Sequence, residues 1–207
     1  LLPDVCYAFL SKDVHLLNMQ NGLADNTVSA VYKDKEGFVW FGTRNGLSRY
    51  DGRRITNFER SRSYPSISNL KEVFDGVLAF VDNGVFSAFD LKKERFLSVV
   101  SSSGQGIPSR GMLQRNDSLV WVISGSELHL MKRCASKEGE LRLRVQEKYT
   151  GWNNQDNLLV AITYSSDKKS ICLIDEKGRI ILLDATNLNS FRVIDLGRIG
   201  SLSVNSV

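Results

Sequence analysis

Asp34, Glu36 and Asp51 are the carboxylates whose spacing invites a chemical reading, either a calcium cluster or an acid–base pair for glycoside hydrolysis. An EF-hand loop needs oxygen ligands at alternating positions and a closing Glu at the twelfth, and DKEG at 34–37 does not supply them. Asp34 follows one strand-like run and Asp51 ends another, and Asn116-Asp117 and Asp167-Lys168 take the corresponding turn further along. A residue type that recurs at one turn position is expected to bind turn amides. His15 and His129 stand apart from any serine or cysteine in an elbow or dyad, and each falls in a strand-like run. GxSxG, HExxH and P-loop patterns are absent, and Gly104-Gln105-Gly106 lacks both a third glycine and a helix to open. Cys6, Cys134 and Cys172 are odd in number and have no CxxC spacing, so they read as small buried hydrophobes, with one pair able to bridge. No catalytic residue, metal site or cofactor is expected.

The elements that carry these side chains are short strands. In 21–52, TVSAVY alternates apolar with small or polar residues, DKEG turns, FVWFGT is β-branched and aromatic, RNG turns again, and LSRYD is a third strand. Asn45-Gly46 predicts a type I′ hairpin turn, because both centres of that turn need positive φ. RRITNFER adds a fourth strand before Pro65. The pattern then repeats: Asn83-Gly84 falls 38 residues after Asn45-Gly46, and Trp121 sits seven before Leu128 as Trp40 sits seven before Leu47. SLSVNSV at 201–207 lies on GLADNTV at 22–28, and the 179 residues from Asn26 to Asn205 divide into four units of about 45. The expectation is an all-β chain, a β-propeller of four-stranded antiparallel blades: 1–20 an N-terminal strand around Val14 to Met19, 21–63 blade 1, 64–104 blade 2, 105–152 blade 3, 153–197 blade 4, and 198–207 the start of a fifth.

The 207 residues are 42% hydrophobic with a formal charge of +4, and no run approaches the roughly 20 apolar residues of a bilayer helix. Lys and Arg are dispersed without interleaved stacking aromatics, which argues against nucleic acid as a partner. The chain opens on Leu1 rather than methionine, which reads as a leader or upstream domain removed. Ligand contact is expected where the turns between second and third strands and the loops leading into each innermost strand share the face on which a propeller channel opens. Those loops hold Arg44, Asn45, Asp82, Asn83, Arg110, Glu127, Trp152 and Asn154. Trp152 suits stacking on a sugar ring or, alternatively, anchors a packed loop.

DNTVSAVYKDKEGFVWFGTRNGLSRYDG closely resembles the two-component regulator propeller repeat, through Asp25, Asn26, Asp34, Gly37, Trp40, Gly42, Thr43, Asn45, Gly46, Leu47, Tyr50 and Asp51. The later units keep its turns and apolar positions but lose the W-x-G-T letters. The resemblance implies the periplasmic sensor region of a hybrid two-component histidine kinase/response regulator of Bacteroides type, recognising an oligosaccharide and signalling across the membrane through segments outside this sequence. It implies no catalysis here. The rival expectations are a secreted propeller enzyme, of lyase or glycosidase type, and a scaffold or adhesion module. An open arc would also expose an inter-blade face at each end, to be covered by remaining blades or by a second copy of the chain in a homodimer.

Overall fold

A computed structural model describes residues 16–59, 67–152 and 157–195. The sixteen strands among them form four antiparallel meanders. Blade 1 is β1 (Val28–Lys33), β2 (Val39–Thr43), β3 (Gly46–Tyr50) and β4 (Ile55–Phe58). Blade 2 is β5 (Ile67–Phe74), β6 (Val77–Asp82), β7 (Val85–Asp90) and β8 (Arg95–Ser101). Blade 3 is β9 (Gly111–Asn116), β10 (Leu119–Ser124), β11 (Glu127–Cys134) and β12 (Glu140–Tyr149). Blade 4 is β13 (Leu159–Tyr164), β14 (Ser170–Asp175), β15 (Arg179–Asp184) and β16 (Phe191–Asp195). The first strands of successive blades, β1, β5, β9 and β13, lie side by side as the inner wall of an arc. The N-terminal strand expected around Val14 to Met19 is not found in its described part: Leu16 and Leu17 are irregular and Met19–Asn21 is a 3-10 turn capped by Asn18. The start of a fifth blade at 198–207 lies outside the described residues.

Each pair of neighbouring blades encloses a core, because strand residues alternate between the two faces of a sheet. Trp40, Leu47, Ile67, Leu70, Leu78, Phe80 and Phe89 fill the space between blades 1 and 2. Val73, Ala79, Phe86, Met112, Val122, Met131 and Leu143 fill that between blades 2 and 3. Trp121, Leu128, Leu130, Ile162, Leu173 and Leu183 do the same for blades 3 and 4. The repeat letters of blade 1 are packing and turn code. The Trp40 indole donates to Asp34 Oδ2 at 2.7 Å, while Asp34 Oδ1 accepts from the amides of Glu36 and Phe38. A Cβ on Gly42 would stand 2.5 Å from Ile67 Cγ2, so glycine there lets the inner strand of blade 2 lean against blade 1. Asp51 ties the amides of Arg53 and Arg54, and Asp90 and Asp184 tie the equivalent turns of blades 2 and 4.

Three departures from the expected pattern have local causes. Asn45 does not have positive φ, and Thr43 pairs with Gly46, so the two-residue turn is Arg44-Asn45. Gly46, at φ 121, follows it beneath the Phe58 carbonyl, where a Cβ would lie 2.7 Å from that oxygen. The I′ pattern of positive φ at both centres belongs instead to Asn83-Gly84 in blade 2. Secondly, β8 and β12, the outer strands of blades 2 and 3, pair in parallel from Ser98 opposite Glu140 to Ser101 opposite Leu143. These two blades therefore form one eight-stranded sheet curled around a shared core, flanked by Lys93 and Arg95 on Glu138. Thirdly, the end faces differ. Blade 1 is partly covered by its own N-terminal segment, where the Asn57 amide donates to the Gly22 carbonyl, the Ala24 amide donates to Ser48, and Leu23 is buried. The outward face of blade 4 carries a cross-strand row of Ala161, Ile174, Ile180 and Ile194, with Cys172 and Leu182 beside it.

Candidate functional site

The turns between second and third strands meet the innermost strand of the following blade at one end of the arc. The Ser109 amide donates to the Gly84 carbonyl at 2.8 Å, joining the blade 2 turn to the approach of β9. The Leu159 amide donates to the Gly125 carbonyl at 3.0 Å, repeating that join between blades 3 and 4. Alternation of turns along a meander puts Arg44, Asn45, Asp82, Asn83, Arg110 and Glu127 at this common end. Arg44 and Asn45 are exposed, and the Asn45 side chain donates to the Ala24 carbonyl. Asp82 is buried and accepts from the Asn83 amide group at 3.0 Å. Arg110 is exposed, with its backbone held between the Ile123 carbonyl and the Asn69 side chain.

Glu127 has partners that the sequence reading did not assign to it. Its Oε2 lies 2.6 Å from His129 Nε2 and 3.5 Å from Lys148 Nζ. The His129 hydrogen bond, reinforced by Lys148, holds the Glu127 carboxyl below the usual carboxylate value. Glu-x-His on a strand places both side chains on one face, which is a legible signal; Lys148 arrives by cross-strand pairing with His129, which is not.

Trp152 is not available for stacking on a sugar. Its ring is 6% exposed, packs into the core between blades 3 and 4, and meets Phe191 edge-on at 6.5 Å. It anchors the loop, because burying a large ring between two sheets outweighs presenting it to solvent. Asn154, His15 and Cys6 lie outside the described residues. Cys134 and Cys172 are both free thiols. Among the described residues no three His, Cys, Asp or Glu side chains are grouped to hold a metal ion.

Two clefts lie away from these turns. One, of about 350 Å³, lies between the turns of blades 1 and 2 and is lined by Asp34, Glu36, Glu72, Asp75 and Lys92. The other, of about 310 Å³, is lined by Arg115, Glu147, Tyr149, Thr186, Asn187 and Asn189. The Tyr149 hydroxyl donates to Glu147, and its pKa is pushed up to about 12 by burial and then by that carboxylate, so it remains protonated at neutral pH.

This is an all-β propeller arc. Residues 22–45, which span β1, β2 and the turn after it, match the family model described as two component regulator propeller. The extracellular domain of BT4673 from B. thetaiotaomicron, described as a one component system, shares the fold at TM-score 0.65 and 15% identity, over 89% of this chain and 27% of that one. The extracellular domain of BT3049 from the same organism, described as a hybrid two component system, does so at TM-score 0.59 and 19% identity, over 87% and 26%. This chain thus spans about a quarter of either domain. Virginiamycin B lyase from Staphylococcus aureus has a similar arc at TM-score 0.55 and 11% identity, over 84% of this chain and 57% of the enzyme. The fold is therefore shared by extracellular domains of one- and two-component systems and by an enzyme, and does not itself decide catalysis. No curated protein sequence matches the chain. No described helix is long and apolar enough to cross a membrane.

Proposed function

We propose that this chain is part of the periplasmic sensor region of a hybrid two-component regulator, and that it contributes to recognition of an oligosaccharide without transforming it. One observation carries the reading: the segment 22–45, which matches the regulator propeller model and holds the first two strands of blade 1, opens an arc whose fold recurs in two extracellular domains of B. thetaiotaomicron. Ligand held at the channel end by the loops of Arg44, Asn45, Asp82, Asn83, Arg110 and Glu127 shifts the arrangement of paired sensors across the membrane. Remaining blades, or a second copy of the chain, cover the aliphatic outer face of blade 4. Calorimetric titration of the purified chain with a panel of oligosaccharides tests this: saturable binding of at least one, with the saccharide recovered intact, is expected. A panel without any binder favours the scaffold or adhesion reading.

The enzyme reading has one observation on its side, the Glu127–His129 contact at the channel end. Product release from a candidate glycan, abolished by Glu127→Ala or Asp82→Ala, would establish it over recognition. Sedimentation separates the two ways of covering blade 4: self-association at micromolar concentration indicates a second copy, and a concentration-independent monomer points to further blades.

A further inference from the structure

The inner wall of the arc carries a cation that the fold does not neutralise. Lys71 sits on β5 just past an irregularity in which the register slips between Ser68 and Lys71 and Asn69 takes positive φ, 53°. The slip turns Lys71 to the side of its cross-strand partner Ala79, which belongs to the core between blades 2 and 3. Glu72, next in sequence, points to the opposite side, where it pairs with Lys35 at 3.2 Å and accepts from the Gly76 amide. No ion pair among the described residues includes Lys71, and burial alone pulls its ammonium below the usual lysine value. A half-buried charge without a partner costs stability, and an anion beside it would lower that cost.

A second cation stands at the mouth of the same wall. Asn69 reaches across to the Arg110 carbonyl at 3.2 Å, which places the start of β9 beside β5. Lys71 lies two residues further along β5, past that irregularity. The carboxylates at this end are already engaged, Asp82 by Asn83 and Glu127 by His129 and Lys148. Arg110 is exposed and takes part in no ion pair among the described residues.

We propose that Lys71 and Arg110 form an anion site on the inner wall between blades 2 and 3, taking a carboxylate or sulfate group of a ligand that enters the channel. Recognition as the chain's role supplies the rest of the ligand and rests on the reading above; the anion site itself is testable without it.

Thermal melts of the purified chain in D-glucuronate, inorganic sulfate or D-glucose, at ionic strength held constant with sodium chloride, are the test. A saturable rise in Tm of about 3 °C at tenfold excess over Kd is expected with one or both anions and none with glucose. Glucuronate alone acting marks a carboxylate site, and sulfate alone a sulfate site. Lys71→Met should abolish the rise and melt above the wild type without anion, since a methionine of similar length removes the unpaired charge; Arg110→Gln should weaken it. The comparison with Lys71→Met also removes the general stabilising effect of sulfate. An equal anion response in Lys71→Met or no response in the wild type would overturn the proposal. If that variant does not fold, acetylation of wild-type Lys71 followed by peptide mass mapping decides: slowing by the anions but not by glucose supports the site, and equal rates refute it.

Discussion

Trp40 and Trp121 occupy equivalent places in blades 1 and 3, and both are buried, but only one has a hydrogen-bond partner. The Trp40 indole N–H donates to the Asp34 carboxylate, whereas the Trp121 N–H is buried without an acceptor among the described residues. Asn116, near the corresponding turn of blade 3, spends its side chain on the amides of Ser118 and Leu119. Trp40→Phe therefore removes a charge-assisted bond and leaves a buried carboxylate oxygen unsatisfied, at about 2–3 kcal/mol; Trp121→Phe loses no hydrogen bond, keeps an aromatic ring for Arg115 and Tyr149, and should cost about 1 kcal/mol. Urea denaturation of the two variants measures the difference, and equal costs would contradict it. Arg49 adds a local brace to blade 1, lying 4.8 Å from the centre of the Phe38 ring, 5.5 Å from that of Trp40, and 2.6 Å from Glu94.

Turns are where the element scale separates spelling from geometry. Asn45-Gly46 and Asn83-Gly84 read identically, yet Asn83 has φ 49 and Asn45 is not in the left-handed region. The difference follows from pairing, since Thr43 opposite Gly46 makes Arg44-Asn45 the loop, while Asp82 opposite Val85 makes Asn83-Gly84 the loop. Asn83→Ala should then cost about 1 kcal/mol or more from forcing alanine into the left-handed region, and Asn45→Ala less than about 0.5 kcal/mol. Comparable shifts of the urea midpoint in both would refute the assignment. The strands themselves were legible in the sequence because alternation, β-branching and recurring turn residues agree for VSAVYK, VLAFVD and LVWVIS. Asp34 and Asp51 were likewise legible as turn residues. Legibility failed wherever a long-range contact decides: the register slip that turns Lys71, the meeting of Lys148 with Glu127, and the burial of Trp152 against blade 4.

At the scale of the whole molecule, the parallel seam between β8 and β12 makes blades 2 and 3 a closed unit, tied at the inner strands and at the outer ones. Among the described residues, blades 1 and 4 are each attached to that unit through one face. Native-state hydrogen exchange should show the highest opening free energies in β6, β7, β10 and β11, with blades 1 and 4 opening at lower cost. Uniform protection across all four blades would show that the seam has no energetic consequence.

Recognition is proposed to take place at the channel end of the arc. Hydrogen-exchange mass spectrometry with and without a saccharide found in the panel titration tests it most directly. The account predicts slowed exchange in the turns of Arg44-Asn45, Asp82-Asn83 and Glu127 and at Arg110. Protection confined to the turns at the other end, around Glu72 and Lys92 or around Asn187 and Asn189, would contradict it.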